Sequence, residues 1–574
     1  MKRLLFFLKK YKKESLIAPL FKLLEASFEL IVPLIIASII DNGIAKGERS
    51  LILRSCFVLV ILAIIGWICA VIAQFYAAKA AVGVTGEMKS ELFKKIQSLS
   101  YSEHDTVGKS TLITRITADC NLVQNAVNLF LRLFLRAPII VFGAMIMAFT
   151  VSARAALTFV AIIPLLSLVV YGIMYLTVPL YKKVQGKLDR LLGITRENLN
   201  GARVIRAFCR EEEEKVRFSV TNNELSHMQR FVGKLSALTN PLTFLLINLA
   251  IVVLIYVGAI RVNMGDLTQG QVIALYNYMS QILVELIKLA NLIVTATKGI
   301  ASANRIDAVM ALSPSITFEQ ESNDKLLSGG VRFENVSLTY KDASAPSLSN
   351  ISFEAMPGET VGIIGGTGSG KTSVVNLIPR FYDATEGKIL IDGKDIKSYS
   401  ENNLRLSIGI VPQRASLFKG TIRSNMQIGN EMATDDEIND ALKLAQAYEF
   451  VVKKDGGLDH KIESGGRNLS GGQRQRLTIA RALVRRPKIL ILDDSASALD
   501  YQTDAALRDA ISSLDYNPTT FIVSQRASSV LSADKIIVLE DGECVGYGTH
   551  KELIKSCDVY KEIYYCQFPD ENAV

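Results

Sequence analysis

Residues 365–372 read Gly365-Gly366-Thr367-Gly368-Ser369-Gly370-Lys371-Thr372, and what flanks them decides the fold of the second half of the chain. The apolar run Thr360-Val361-Gly362-Ile363-Ile364 before them predicts a buried strand. Ser373-Val374-Val375-Asn376-Leu377-Ile378 after them predicts the start of a helix. Strand, glycine-rich loop, Lys-Thr and helix together are the context of a phosphate-binding loop. The glycines let successive N–H groups turn toward phosphate oxygens, and the helix N-terminus adds unpaired donors and a positive dipole end. In this reading Lys371 meets the outer phosphates and the Thr372 hydroxyl takes Mg²⁺.

Further along, Lys488-Ile489-Leu490-Ile491-Leu492 ends in Asp493-Asp494. A continuous apolar run that ends in carboxylates predicts a buried parallel strand delivering acid to the C-terminal edge of a sheet, where ligands bind in open α/β folds. Asp493 is placed to hold Mg²⁺ through water and Asp494 to orient the attacking water. Leu469-Ser470-Gly471-Gly472-Gln473 leads into a helical run, so Ser470 reads as an N-cap presenting a second set of backbone donors. One domain cannot wrap its own nucleotide with both glycine loops, so the second must serve a phosphate held by another subunit. Tyr340, at the end of the alternating strand Val331–Leu338, is an aromatic placed to stack on adenine or simply to pack.

The first half is different in kind. The chain has 574 residues and is 49% hydrophobic, with mean hydropathy +0.27, which is reconciled if about half of it lies in lipid. Apolar segments near 16–40, 51–77, 134–152, 155–180, 242–260 and 269–296 each approach or exceed the roughly 20 residues that cross the hydrocarbon. Short polar connections alternate with long, charged, helical ones near 79–128 and 182–234, where Lys and Arg concentrate. The positive-inside rule therefore puts these and the N-terminus in the cytoplasm. Met1–Lys13, basic around Leu4–Leu8, reads as an interfacial helix or a disordered basic tail. Gly201–Phe208 runs into Glu211–Glu214, as either a solvated acidic turn or a contact element. Glu25, Glu29, Arg132, Arg136, Glu285 and Lys288 fall inside or near the spans, where ionisable groups face a cavity or snorkel. Arg132, Arg136 and Glu285 are the candidate substrate-cavity residues. Seven scattered cysteines and four isolated histidines indicate neither disulfides nor a zinc site, and the spread of the net charge of +8 argues against nucleic acid.

On these motifs the chain resembles a half-transporter of the ATP-binding-cassette exporter family. The fold expected is an α-helical transmembrane domain of six helices with long intracellular extensions, fused to an α/β P-loop nucleotide-binding domain. The expected boundaries are an elbow helix at 1–15, the membrane domain at 16–310, a linker at 311–329 and the cassette at 330–574. The resemblance makes Tyr340 the adenine-stacking aromatic, Gly365–Thr372 the Walker A loop with Ser373 a further nucleotide-binding residue, Gln413 the Q-loop glutamine and a third Mg²⁺-site residue with Thr372 and Asp493. Ser470–Gln473 becomes the signature, Asp493 the Walker B aspartate and Ser497–Asp500 the D-loop, with Asp500 its acid. Coupling helices are expected near 101–108 and 209–217. ATP and Mg²⁺ are the implied cofactors, and a multi-pass cell membrane protein with a cytoplasmic cassette is the implied location.

Two positions depart from the family pattern. Asp494 stands where the catalytic glutamate is expected, and Gln525 where the switch histidine is. Aspartate is one methylene shorter, and glutamine offers no imidazole. Serine also stands where the family's cross-talk loop carries a glutamate, in Ile462-Glu463-Ser464-Gly465-Gly466. The resemblance therefore implies a site that binds ATP but hydrolyses it slowly, paired with a second, homologous half-transporter supplying the missing Glu and His. Amphipathic drugs or lipids are the expected substrates. An ATP-gated channel, a lipid flippase or an importer on the same fold are the alternatives.

Overall fold

The computed structural model describes residues 2–318, 328–341 and 343–568. They form two compact units, Met1–Gln97 with Ser110–Leu312, and Ser98–Lys109 with Ser313–Val574. The expected boundary at 310/311 thus falls two residues later. Residues 319–327 of the expected linker lie outside the described residues.

The first unit is helical. Among the described residues, six segments are long and apolar enough to cross a membrane: Lys12–Ile44, Arg49–Gln97, Lys109–Val151, Ala153–Asn200, Glu211–Asn263 and Gln269–Ala311. They run 33 to 53 residues, far beyond what the hydrocarbon requires, so each apolar core continues as helix past it. Local signals set the ends. The Ser152 side chain accepts from the Ala155 N–H, and Thr268 with Gln271 forms a capping box at the start of Gln269–Ala311. Asp41 then joins the first span to the last, its carboxylate accepting from the Gly270 N–H at 2.8 Å and from the Thr268 hydroxyl. A Cβ at Gly270 would lie 2.3 Å from the Ala37 carbonyl oxygen, so only glycine admits this approach.

The basic N-terminus forms a helix, Lys2–Lys10, broken at Tyr11. Ion pairs Lys10–Glu87 (2.8 Å) and Lys79–Glu14 (3.1 Å) join this end of the chain to the second span. The second inner turn differs from expectation. The short helix is Ala202–Ala207, not Cys209–Arg217. Gly201 stops the long helix before it, and Cys209 adopts a left-handed φ of 52°, so the chain reverses where a helix was expected to begin.

In the second unit the strands are β1 (Val331–Leu338), β2 (Leu348–Ala355), β3 (Thr360–Gly365), β4 (Glu386–Ile391), β5 (Lys394–Asp395), β6 (Ile408–Val411), β7 (Gly420–Thr421), β8 (Lys461–Ile462), β9 (Ile489–Asp493), β10 (Thr519–Val523), β11 (Lys535–Glu540) and β12 (Glu543–Gly548). The main sheet has the order β12-β11-β3-β10-β9-β6, parallel from β11 to β6, with β12 an antiparallel edge. Every residue of β9 and β10 is buried, because both faces of a parallel sheet are covered, which explains the unbroken apolar runs. A smaller antiparallel sheet, β2-β1-β4-β5, carries Tyr340 just past the end of β1.

Part of the first long connection, Ser98–Lys109, belongs to the second unit. Tyr101–Val107 is a short helix closed by Gly108, and its Tyr101 ring stacks on Phe381 at 4.5 Å. Asp105 accepts from the Tyr382 hydroxyl at 2.6 Å, and Ser100 accepts from the Ile316 N–H at 3.2 Å. The stacked pair alone contributes about 1 kcal/mol beyond its buried area.

Candidate functional site

The strand order explains why residues far apart in sequence meet. Adjacent parallel strands β3, β10, β9 and β6 end respectively at Gly365, just before Ser524-Gln525, at Asp493, and just before Gln413. Four consecutive C-terminal strand ends therefore deliver the glycine loop, the switch position, the two carboxylates and the Q-loop glutamine to one edge.

The loop is built as the sequence predicts. Gly370 takes φ 94°, and a Cβ there would lie 2.6 Å from the Leu348 side chain. Lys371 opens the helix Lys371–Leu377 and is 8% exposed. Its ammonium donates to the carbonyls of Gly365 (2.9 Å) and Gly366 (2.5 Å) and to Ser369 Oγ (3.4 Å). The cation is thus held over the loop's own oxygens, ready to exchange these partners for phosphate. Burial pushes its pKa down, opposed by the charges of Asp494 and Asp493.

Thr372 Oγ1 donates to Asp493 Oδ1 at 3.0 Å, so hydroxyl and carboxylate share one point of the edge. With the Gln413 amide these are oxygen donors, suited to a hard cation. Among the described residues no three His, Cys, Asp or Glu converge as metal ligands. Thr372, Asp493 and Gln413 would hold a Mg²⁺ here, and the ion would supply neutralisation of phosphate charge. Burial raises the Asp493 pKa, against the Thr372 hydrogen bond and Lys371, with Asp494 adding to the rise. A raised pKa lets a proton compete with Mg²⁺ at higher pH than at an ordinary carboxylate. Mg²⁺-dependent ATP affinity should therefore weaken on acidification while an ordinary aspartate is still ionised. Titrations with and without Mg²⁺ measure this, and Asp493→Asn should abolish the difference in slope.

Asp494 follows directly. Its backbone takes φ 44°, its N–H donates to the Val523 carbonyl at 3.0 Å, and its Oδ2 accepts from Gln413 Nε2 at 3.2 Å. Tyr340 is half-buried, its hydroxyl 2.9 Å from that of Ser373 and its ring edge-on to Tyr382 at 5.0 Å. Tyr382, not singled out in the sequence, thereby joins the aromatic position to Asp105 of the short inner helix.

The second glycine loop opens a different helix from the first. Ser470 N-caps Gly471–Leu483 in a full capping box: the Gln473 N–H donates to Ser470 Oγ (3.3 Å), and the Ser470 N–H to Gln473 Oε1 (3.1 Å). Ser470 and Gly471 are exposed, and Arg474 fastens the approach by donating to the Leu469 carbonyl at 2.7 Å. Asp500 caps the next helix, accepting from the Thr503 N–H at 2.9 Å, and these bonds hold its pKa below the usual range.

Two family descriptions match, "ABC transporter transmembrane region" over residues 15–286 and "ABC transporter" over 348–497. An uncharacterized ABC transporter ATP-binding protein of Bacillus subtilis, YfiB, is 39% identical over 573 residues, covering 100% of both chains. The chain belongs to the ABC transporter family. An ATP-dependent lipid A-core flippase of Vibrio vulnificus is 30% identical over 574 residues, covering 99% of this exporter and 97% of the flippase. The solved structure of a bacterial Atm1-family ABC exporter with ATP bound shares the fold, with TM-score 0.81 at 23% identity, over 97% of this chain and 98% of that one. The exporter is a multi-pass membrane protein with six apolar helices followed by an ATP-binding domain, and the family couples ATP hydrolysis to transport.

Within the membrane unit the exporter has a cavity of about 410 Å³. Glu29, Arg136, Gln281, Glu285 and Lys288 line it, alongside Val32, Ile36 and Ile140. Arg136 is the hub: its guanidinium reaches Glu25 (2.8 Å), Glu29 (2.8 Å) and Glu285 (3.4 Å), while Lys22 pairs with Glu25 and Lys288 with Glu285. Arg132 is not among the residues lining this cavity. Removing Arg136 would leave Glu25 and Glu285, 8% and 2% exposed, with only one lysine each. Arg136→Ala should lower stability by about 3 kcal/mol, read from the shift in thermal unfolding in detergent.

Proposed function

We propose that the exporter is one half of a heterodimer in which its own Walker site binds Mg-ATP and hydrolyses it slowly. In this reading Lys371, Thr372, Asp493 and Gln413 hold the nucleotide and its Mg²⁺, and Tyr340 stacks on adenine. Asp494 stands at the general-base position and Gln525 at the switch. Ser470–Gln473, with the D-loop acid Asp500, completes the site of a partner half-transporter that carries Glu and His. One observation carries the reading: the signature is capped and exposed, whereas the carboxylate at the end of β9 is an aspartate on a pinned backbone.

Transport then follows by alternating access. ATP closes the paired cassettes, the inner helices relay the closure, and hydrolysis at the partner's site resets the pair. The Arg136 cavity, with charged groups beside aliphatic ones, suits an amphipathic cargo entering from the cytoplasm or inner leaflet. The lipid A-core flippases among its relatives favour a lipid-like cargo as the second reading. Purification of the tagged exporter alone and with a co-expressed homologous half-transporter tests the assembly. Slow turnover alone and fast turnover of the pair is expected; equal turnover per chain would reject the heterodimer.

A further inference from the structure

One side chain of the C-terminal helix bonds the loop that carries Gln525 at two points. Gln567, on the helix Asp558–Gln567, donates from Nε2 to the Gln525 carbonyl at 2.9 Å. Its Oε1 accepts from the Ala527 N–H at 2.8 Å. One partner only accepts and the other only donates, so the amide orientation is determined. The helix beneath is firmly seated: Tyr560 and Tyr564 are buried, and His550 Nδ1 lies 2.8 Å from the Tyr560 hydroxyl.

The loop is also tied to β3, where the Ser524 N–H donates to the Ile363 carbonyl at 3.0 Å, and to the helix Tyr501–Ser512. The Arg526 N–H donates to Ser524 Oγ at 2.9 Å, and the Arg526 guanidinium lies over the Tyr501 ring at 5.0 Å. The Ser529 hydroxyl donates to the buried Asp504 at 3.2 Å. Gln525 itself is exposed at the nucleotide edge. The Gln567 amide therefore grips the backbone immediately after the switch residue, its two bonds to the Gln525 carbonyl and the Ala527 N–H falling on either side of Arg526.

We propose that Gln567 is a positioning residue for the switch: its amide sets the backbone from which Gln525 reaches the γ-phosphate, and so ties γ-phosphate recognition to the C-terminal helix. The proposal rests on the reading of Gln525 as the switch position. Gln567→Ala removes both bonds. Gln567→Glu keeps the acceptor for Ala527 but sets a carboxylate against the Gln525 carbonyl.

The test uses the full chain in lipid nanodiscs with Mg²⁺, titrated separately with ADP and a non-hydrolysable ATP analogue, so that slow hydrolysis is immaterial. Gln525→Ala should cut the preference for the triphosphate by about fivefold, and either Gln567 variant by about threefold, with ADP affinity unchanged. The double variant should fall no lower than Gln525→Ala, because both act through one contact. If Gln525→Ala lowers the preference and neither Gln567 variant does, the positioning role is overturned while the switch reading stands. If Gln525→Ala has no effect, the switch reading fails and the proposal falls with it. Equal weakening of ADP and the triphosphate analogue in both Gln567 variants would assign a structural role alone and overturn the proposal.

Discussion

Asp494→Glu, combined with Gln525→His, should raise the ATP turnover at this chain's own Walker site by about tenfold to a hundredfold. The argument is geometric. Asp494 sits one residue past the end of β9 with a left-handed φ of 44°, and its N–H is bonded to the Val523 carbonyl of β10. The backbone is pinned to the sheet and cannot advance to make up for the missing methylene, so the carboxylate stays more than about an ångström short of where a glutamate would reach. A general base must lie within hydrogen-bond reach of the proton it takes. Gln413 holds the same carboxylate at 3.2 Å, so lengthening the side chain also frees it from that partner. Glutamate alone should give most of the gain, and histidine at 525 adds a group able to carry charge at the γ-phosphate. Single-turnover hydrolysis by the purified exporter, wild type against single and double variants, measures both steps.

The second large effect is expected across the dimer. Gly471→Asp should reduce turnover of the assembled pair by at least about a hundredfold, comparable to the removal of a charge-stabilising donor from a catalytic site. A Cβ at Gly471 meets nothing within 4 Å, so the variant folds and the loss is electrostatic: a carboxylate is placed at the helix start where phosphate is to bind. Lys371→Ala should behave differently. It removes the buried cation of this chain's own loop and should abolish ATP binding there, yet under the proposed heterodimer the pair should keep at least about a tenth of its turnover, because the faster site would lie on the other half-transporter. Steady-state ATPase rates of the two mutant pairs, beside nucleotide binding to each chain, separate the cases. Equal losses would show that the two sites are equivalent.

Much of this was legible in the chain because the decisive signals are local. The glycine loop with its flanking strand and helix, the apolar run into Asp493-Asp494, and Ser470 ahead of a helix each carry their physical cause within about ten residues. The six apolar segments are legible for the same reason, since lipid demands length and apolarity in one stretch. What escaped depends on long-range pairing. Nothing near β10 says that it lies between β3 and β9, yet that order places Gln525 beside Lys371 and Asp493. Tyr382 and Asp105 are 277 residues apart, and Gln567 and Gln525 are 42 apart, so their bonds have no local signature. The pairing of the intramembrane charges has no local signature either, since Arg136 meets Glu25 from 111 residues away. The second inner turn was misplaced because the acidic run Glu211–Glu214 looks like a helix start and is one, while the short helix before it rests on Gly201 and Cys209.

The most direct test of the central claim asks which nucleotide this chain holds during turnover. The co-purified pair would be photolabelled, while hydrolysing, with azido-ATP carrying its label on either the α- or the γ-phosphate, and the two chains separated afterwards. Retention of both labels on this chain, with only the α label on its partner, is the expected result, since the Asp494 site keeps ATP intact while the other site turns it over. Loss of the γ label from this chain at the same rate as from its partner would contradict the account and make the Asp494 site an ordinary hydrolytic one.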